Sequence, residues 1–289
     1  MQPTDVDIVP APEHLRPFVR RYMYANRRLE SELAVRPKPT GYTYFANCFG
    51  DLPAYHVVVD GQAFPQSSRW HLPGQIVDHD IVVHHPDRHQ MLYCELSATG
   101  LYRLFGVPGE RTAGRAPPLP EIGAEFDALA RRHFVRGPDD TREEHIAEAD
   151  AFFTALAERA GSGEPLVEAA VALFEAGDGG LRVGDICERL NADPRHLNRR
   201  FNQIVGVGPK FFGQVLQINW VVGLLYANDA AKLSDIAQAA GFHDQSHFHR
   251  AMRRFFNEGP REFLASDHVL FKTFLGASRR FGPASPATE

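Results

Sequence analysis

The sequence predicts an α+β protein of several domains: an N-terminal β-barrel or sandwich, a helical linker, and a C-terminal all-α part with two helix-turn-helix units. Three observations predict it. Residues 40–120 are rich in β-forming and turn residues, residues 121–176 have apolar positions three and four apart, and a repeat appears beyond residue 180. At 289 residues the chain also exceeds the size at which single hydrophobic cores usually stop growing.

The β-region consists of short runs of β-forming residues that are separated by Gly, Pro, Asp and Asn clusters. Such spacing is typical of an all-β barrel or sandwich. The runs cover 41–45, 56–61, 75–77, 80–84 and 90–96. Ahead of them, residues 12–19 indicate either a short lead-in helix or an extended arm.

The linker is predicted to be helical because Ala, Glu and Arg dominate residues 121–176 and apolar residues recur at helical spacing. Two loops interrupt it, at 136–140 and at 161–165, where Gly and Pro occur together. A third Gly-rich loop at 176–180 ends it.

The charge changes sign at this third loop. Residues 1–180 hold 17 Lys and Arg against 26 Asp and Glu, whereas residues 181–266 hold 11 against 8. We therefore divide the chain into a β-domain at 1–120, a helical linker at 121–179, an all-α domain at 180–266 and a C-terminal extension at 267–289.

The all-α domain contains one supersecondary unit twice. Residues 184–190 match residues 234–240, and Leu197 and Arg199 fall on Phe248 and Arg250 after one inserted residue. Each copy predicts a short helix, a tight turn and a second helix. Asp193 and Pro194 supply an N-cap and a proline at the first helical position in the first copy, and Asp244 is the N-cap expected in the second.

The second helix of each copy has an apolar side and a polar side. The apolar residues at i, i+4 and i+7 are Leu197, Phe201 and Ile204 in the first copy and Phe248, Met252 and Phe255 in the second. The opposite sides carry Arg, Asn, Gln, Ser and His. Arg can chelate guanine O6 and N7, and Asn or Gln can pair with adenine, so these sides are suited to reading base edges in a major groove.

The spacing between the copies favours the same chemistry. Residues 209–228 predict one helix of about 20 residues, which is about 30 Å long at 1.5 Å per residue. Successive major grooves on one face of B-DNA lie about 34 Å apart. A rigid helix of this length could hold two reading helices one DNA turn apart.

Residues 181–265 resemble the AraC/XylS family of transcription regulators, whose C-terminal domain carries two helix-turn-helix units joined by a long helix. The resemblance is carried by residues 193–201, 206–210, 236–250 and 259–263. It implies a non-enzymatic protein that binds double-stranded DNA, and it is compatible with contacts to RNA polymerase and with a homodimer. A cytoplasmic location is expected because no apolar run is long enough to span a membrane and residues 1–7 do not resemble a signal peptide.

The resemblance also assigns side chains to the DNA. The base-reading positions are Arg195, Asn198, Arg199, Gln245, Ser246, His247, His249 and Arg250. Phosphate contacts are expected from Arg200, Lys210, Arg253 and Arg254. Residues 217–222 depart from the family pattern because they carry no charge where the family has an Arg-Leu pair and further basic residues. A shallower salt dependence is therefore expected.

The resemblance continues more weakly upstream. Residues 96–108 are similar to a segment of family members with a cupin-like β-domain, and such domains often bind an effector or mediate dimerisation. Aromatic and polar side chains could line an effector pocket or fill the barrel; the pocket candidates are Tyr44, His56, Trp70 and Tyr93. The alternatives are a sensor with an unidentified small-molecule effector and a constitutive regulator whose β-domain only dimerises.

The remaining chemistry predicts neither a metal nor another cofactor. A cupin metal centre would require His84, His85, His89 and Glu95 to converge, and the usual His-x-His pair is missing. The rival hypothesis is a cupin metalloenzyme that uses its helical region to bind a partner. Three separated cysteines indicate no disulfide, no signature of an enzyme stands out, and no apolar run reaches the length of a membrane span.

Overall fold

The computed structural model describes residues 6–50, 55–65, 67–77, 81–227, 242, 245–265, 271 and 275. Strands precede residue 97 and helices follow it, which confirms the predicted α+β arrangement. The described strands are β1 (Asp7–Pro10), β2 (Val19–Arg28), β3 (Leu33–Val35), β4 (Tyr44–Cys48), β5 (His56–Val59), β6 (Gln62–Pro65), β7 (Trp70–His71), β8 (Ile81–His85) and β9 (Arg88–Leu96). The described helices are α1 (Gly100–Phe105), α2 (Leu119–Ile122), α3 (Ala124–His133), α4 (Arg142–Ala157), α5 (Pro165–Ala176), α6 (Val183–Leu190), α7 (Pro194–Val205), α8 (Pro209–Ala227), α9 (Gln245–Phe256) and α10 (Pro260–Ala265).

The strands form two antiparallel sheets. The larger sheet has the order β1-β2-β9-β4-β7 and the smaller has the order β3-β8-β5-β6. The long strands β2 and β9 pair at the centre of the larger sheet, where Arg21 lies opposite Glu95 and Met23 opposite Tyr93.

The larger sheet buries both of its faces. One face packs against α3 and α4 in an aromatic core, in which the ring of Phe45 lies 5.0 Å from Phe152 and 5.6 Å from Phe153. The other face turns toward the smaller sheet, and a second, smaller core that contains Tyr55 and Met91 lies between the sheets. Helices α3 and α4, assigned to the linker, therefore complete the core of the β-domain.

Two details of the β-region differ from the sequence-based prediction, and the structure distinguishes between the alternatives left open for residues 12–19. Residues 7–35 form β1, β2 and β3, none of which was predicted, and only Glu13–Leu15 within 12–19 is helical, as a single 3-10 turn. Strand β2 was missed because four arginines interrupt its apolar alternation. Residues 75–77 form no strand: the Gln75 side chain donates instead to the Gly41 carbonyl at 2.9 Å.

The C-terminal helices build two cores that share α8. The first core unites α5, α6 and α7 with Phe212 and Leu216 of α8, so α5 packs with residues on the far side of the boundary placed at 179. The second core joins Val215, Ile218 and Val222 of α8 to α9 and α10. Helix α8 is therefore the structural link between the two repeats.

Parts of the second repeat and of the tail are not covered. The first helix expected in the second copy, its turn and the N-cap Asp244 lie outside the described residues, except for Phe242, and so does most of the extension at 267–289. Over the part of the chain that the structure describes, no helix combines the length and apolar character that a membrane crossing requires.

Candidate nucleic-acid interface

Helix α7 begins as the sequence predicts. The Asp193 carboxylate accepts a hydrogen bond from the His196 backbone N–H at 2.7 Å, and Pro194 occupies the first turn. The preceding turn uses Asn191 in the left-handed region at φ 47°, which ends α6. These local signals orient α7 relative to α6.

The polar side of α7 faces solvent. Arg195, Asn198 and Arg199 are exposed, whereas Leu197 and Phe201 on the opposite side are fully buried. The Arg199 guanidinium lies 3.3 Å from Nδ1 of His196, which is also exposed. Three of the predicted base-reading side chains are thus available to a partner.

Arg200 differs from its neighbours. It donates two hydrogen bonds to the Glu164 carboxylate, at 3.0 and 2.7 Å, and a third to Gln203 at 2.6 Å. The bidentate pair holds the pKa of Glu164 below its usual range. Arg200, predicted to contact phosphate, therefore ties α7 to the start of α5.

Helix α9 repeats the two-sided arrangement. Ser246, His249 and Arg250 are exposed, and Phe248 is fully buried. His247 is half-buried, with its ring 5.2 Å from that of Phe242, so it contributes to packing as well. Gln245 starts the helix, and its side chain lies outside the described part of the chain.

The other predicted phosphate-binding residues lie at the surface. Lys210 is exposed in the first turn of α8. Arg253 pairs with Glu262 at 3.2 Å, where both side chains are 59% exposed. Arg254 donates weakly to Gln214 at 3.4 Å and lies over the ring of Phe255. Exposed pairs of this kind are worth little, about 0–1 kcal/mol, and can be exchanged for a phosphate.

The absence of charge in 217–222 has a structural explanation. Asn219 is only 6% exposed and donates to the Pro39 carbonyl of the β-domain at 3.1 Å, while Ile218, Val221 and Val222 are fully buried. Because this part of α8 faces protein, a charged side chain here would be buried without water.

The four effector-pocket candidates do not converge. Tyr44 donates to Glu95 at 3.2 Å, and Tyr93 lies on the same sheet face toward the smaller sheet. Trp70 is on the opposite face, in the core with α3, and His56 stacks on His84 on the outer side of the smaller sheet.

The space between the two sheets instead collects three buried histidines, one of which, His71, the sequence analysis did not assign to a site. His71, His85 and His89 are each at most 3% exposed. Burial lowers the pKa of His71 and of His85 to about 4, and lowers that of His89 well below its usual value. Among the described residues, none forms a hydrogen bond with the buried His85 Nε2 or His89 Nδ1.

The set considered for a metal does not assemble. His85 and His89 lie 4.6 Å apart by ring centroids, but His84 faces the other side of its strand and Glu95 pairs with Arg20 and Arg21. Among the residues that the structure describes, no three His, Cys, Asp or Glu side chains form a metal-binding group. The three cysteines are buried, and none of them forms a disulfide within the described part of the chain.

Comparison with known proteins finds one family and several structures. A family model described as a helix-turn-helix domain matches residues 186–266. No protein of curated function matches the chain. A transcriptional regulator with an AraC-type DNA-binding domain from Chromobacterium violaceum is 27% identical over 39% of this chain and 95% of its own, with a TM-score of 0.31.

Two structures of ToxT from Vibrio cholerae also align. One is 12% identical over 84% of this chain and 98% of its own, with a TM-score of 0.43. The other, bound to an unsaturated fatty acid, is 15% identical over 83% and 97%, with a TM-score of 0.42.

Proposed function

We propose that the chain is a DNA-binding transcription regulator of the AraC type, in which α7 and α9 read adjacent major grooves of one duplex; the helix-turn-helix family model that matches residues 186–266 supports this. The main support for this proposal is that both helix-turn-helix units pack against the same helix, α8. The buried sides of both reading helices pack on this one helix, and their polar sides remain exposed.

The length of α8 suits this task. Its 19 residues extend over about 28 Å at 1.5 Å per residue, close to the roughly 34 Å between successive major grooves. Since α8 is packed along its length, it holds the two units at a fixed separation. The target DNA would then contain two short recognition sequences, which we call boxes. Arg195, Asn198 and Arg199 would read the first box, and His249 and Arg250 the second.

The phosphate contacts follow from the same surfaces. Lys210, Arg253 and Arg254 are exposed cations near the reading helices, whereas Arg200 must first leave Glu164. We therefore expect the first three to carry most of the salt-dependent affinity, with a salt slope that loses about 0.9 for each contact removed.

Selection from a random DNA pool tests the function directly. The full-length protein is mixed with duplexes that contain 40 random base pairs, and the bound fraction is sequenced. We expect the selected duplexes to contain two sequence boxes with centres about 10 base pairs apart. The protein should protect a footprint of about two helical turns. Enrichment of a single box with a one-turn footprint would contradict paired reading.

We further propose that an effector binds between the two sheets of the β-domain. The nitrogens of His85 and His89 that have no partner among the described residues, together with the neighbouring hydroxyl of Tyr93, suit a small polar molecule that both donates and accepts hydrogen bonds. A thermal-shift screen against metabolites tests this, because a ligand at 100 times its Kd stabilises the fold by about 2.7 kcal/mol.

Two variants separate a sensor from a constitutive regulator. A genuine effector should lose its thermal shift in His85→Phe but retain it in His14→Phe, which changes an exposed histidine. A hit whose shift is equal in both variants does not bind between the sheets. Stoichiometric metal in the purified protein would instead favour the metalloenzyme hypothesis.

A further inference from the structure

A short segment of the β-domain contacts two helices of the C-terminal domain, α8 and α9. Residues 38–41, which we call the splint, lie between β3 and β4. The Lys38 ammonium donates to the Phe256 carbonyl and to the Glu258 carboxylate, both at 2.8 Å. Its side chain is only 7% exposed. Lys38 thus contacts the last residue of α9, the second reading helix.

Separating Lys38 from these two partners is energetically unfavourable. The C-terminal end of a helix carries partial negative charge and unpaired carbonyls, both of which a cation satisfies. Removing one partner from a buried ion pair leaves an uncompensated charge, which is strongly unfavourable. Any movement of α9 away from the splint would therefore have to hydrate or re-pair Lys38.

The rest of the splint packs against α8. The Pro39 carbonyl accepts a hydrogen bond from buried Asn219 at 3.1 Å. Gly41 adopts φ +87°, and a Cβ at this position would lie 3.2 Å from Leu216 and 3.4 Å from Phe212. Four consecutive residues thus hold both α8 and the end of α9.

The β-domain also contacts the first unit, through different residues. The backbone of Gly109 lies against Gly206 at the end of α7, so closely that a Cβ on Gly109 would be 2.5 Å from the Gly206 nitrogen. Arg20 pairs with Glu175 of α5 at 3.1 Å, and α5 shares the core of α6 and α7. The β-domain therefore contacts both units.

We propose that Lys38 is a positioning residue for DNA recognition. It contacts no base and acts through α9: the splint fixes the angle between α8 and α9, and this angle limits the spacing between the two DNA boxes that the protein accepts. The inference rests on the proposed function, because it presupposes that both α7 and α9 read DNA.

The experiment compares full-length wild type, Lys38→Met and Lys38→Arg. Arg115→Met is the control because it also removes one cation, from an exposed pair with Glu121. Each protein is used to select from duplexes with 40 random base pairs. Affinities are then measured for the selected boxes at the best spacing, at a spacing five base pairs longer, and for the first box alone.

Lys38→Met should lower the affinity ratio between the best and the longer spacing at least fivefold, the lower end of typical couplings between sites. Lys38→Arg and Arg115→Met should retain the wild-type ratio, and all four proteins should bind the first box equally. A variant that is merely less stable would lose affinity for every duplex, including the single box. Such uniform loss, or an unchanged ratio, overturns the positioning role.

Hydrogen exchange without DNA separates this inference from the proposed function. Lys38→Met should accelerate exchange of amides in 250–262 and leave α7 unchanged. If none of the proteins enriches any sequence, the proposed function fails and the DNA-positioning role fails with it. If the wild type selects paired boxes but exchange in 250–262 does not respond to Lys38→Met, only the role of Lys38 is wrong.

Discussion

The buried histidines of the β-domain make its stability depend on pH in a way that can be worked out. His71 and His85 have pKa values of about 4 in the folded protein, against about 6.5 in an unfolded chain. Between these values the unfolded state binds more protons, so acidification destabilises the fold. The stabilisation is complete above about pH 6.5 and disappears as the pH falls toward 4.

The magnitude follows from the shifts. One pKa unit corresponds to about 1.4 kcal/mol, and at pH 5 each of the two histidines has lost about 2 kcal/mol relative to pH 7.5. The free energy of unfolding should therefore fall by about 4 kcal/mol over this interval from His71 and His85 together. The depressed pKa of His89 acts with the same sign.

Urea unfolding at pH 7.5 and at pH 5 measures this difference. In a Trp220→Phe background the fluorescence of Trp70, which packs against Phe134 in the β-domain core, reports on the unfolding of that domain. The double variant with His71→Gln and His85→Gln should lose about 4 kcal/mol of the pH-dependent change.

The control replaces the exposed His14 by Gln and should retain the full change. The predicted pH dependence is wrong if the unfolding free energy of the background protein is equal at both pH values. It is also refuted if the double variant shows the same decrease on acidification as the background protein.

Three further predictions concern the DNA interface and the buried ion pairs. Arg199→Ala or Arg250→Ala should weaken binding to the selected site by about 1–3 kcal/mol and leave the unfolding free energy unchanged; equal losses on scrambled DNA would show that neither residue reads sequence. Glu164→Gln should free Arg200 for a phosphate and steepen the salt slope in a titration by about 0.9, and an unchanged slope would show that Arg200 does not reach DNA. Glu95→Gln should lower the unfolding free energy by about 3–5 kcal/mol because this carboxylate is fully buried between two arginines, and a loss below about 1 kcal/mol in chemical denaturation would contradict that assignment.

Local sequence patterns are sufficient to predict those parts of the protein that depend on neighbouring residues. The cap at Asp193, the i, i+4 spacing of Leu197 and Phe201, and the uninterrupted helix from Pro209 are all local patterns, and the structure confirms each of them. The repeat indicated two units, and the polar residues of α7 and α9 indicated which side of each helix is exposed.

Contacts between residues far apart in the sequence become visible only in the folded chain. Lys38 and Phe256 are 218 residues apart. The carboxylate of Glu95 pairs with arginines on β2, a strand that was not predicted because its arginines interrupt the apolar alternation. The charge boundary at residue 179 gave no sign that α5 shares a core with α6 and α7. The spacing of apolar residues shows which side of a helix or strand is apolar, but not which other element covers that side. For this reason the burial of the cations and histidines could not be predicted from the sequence.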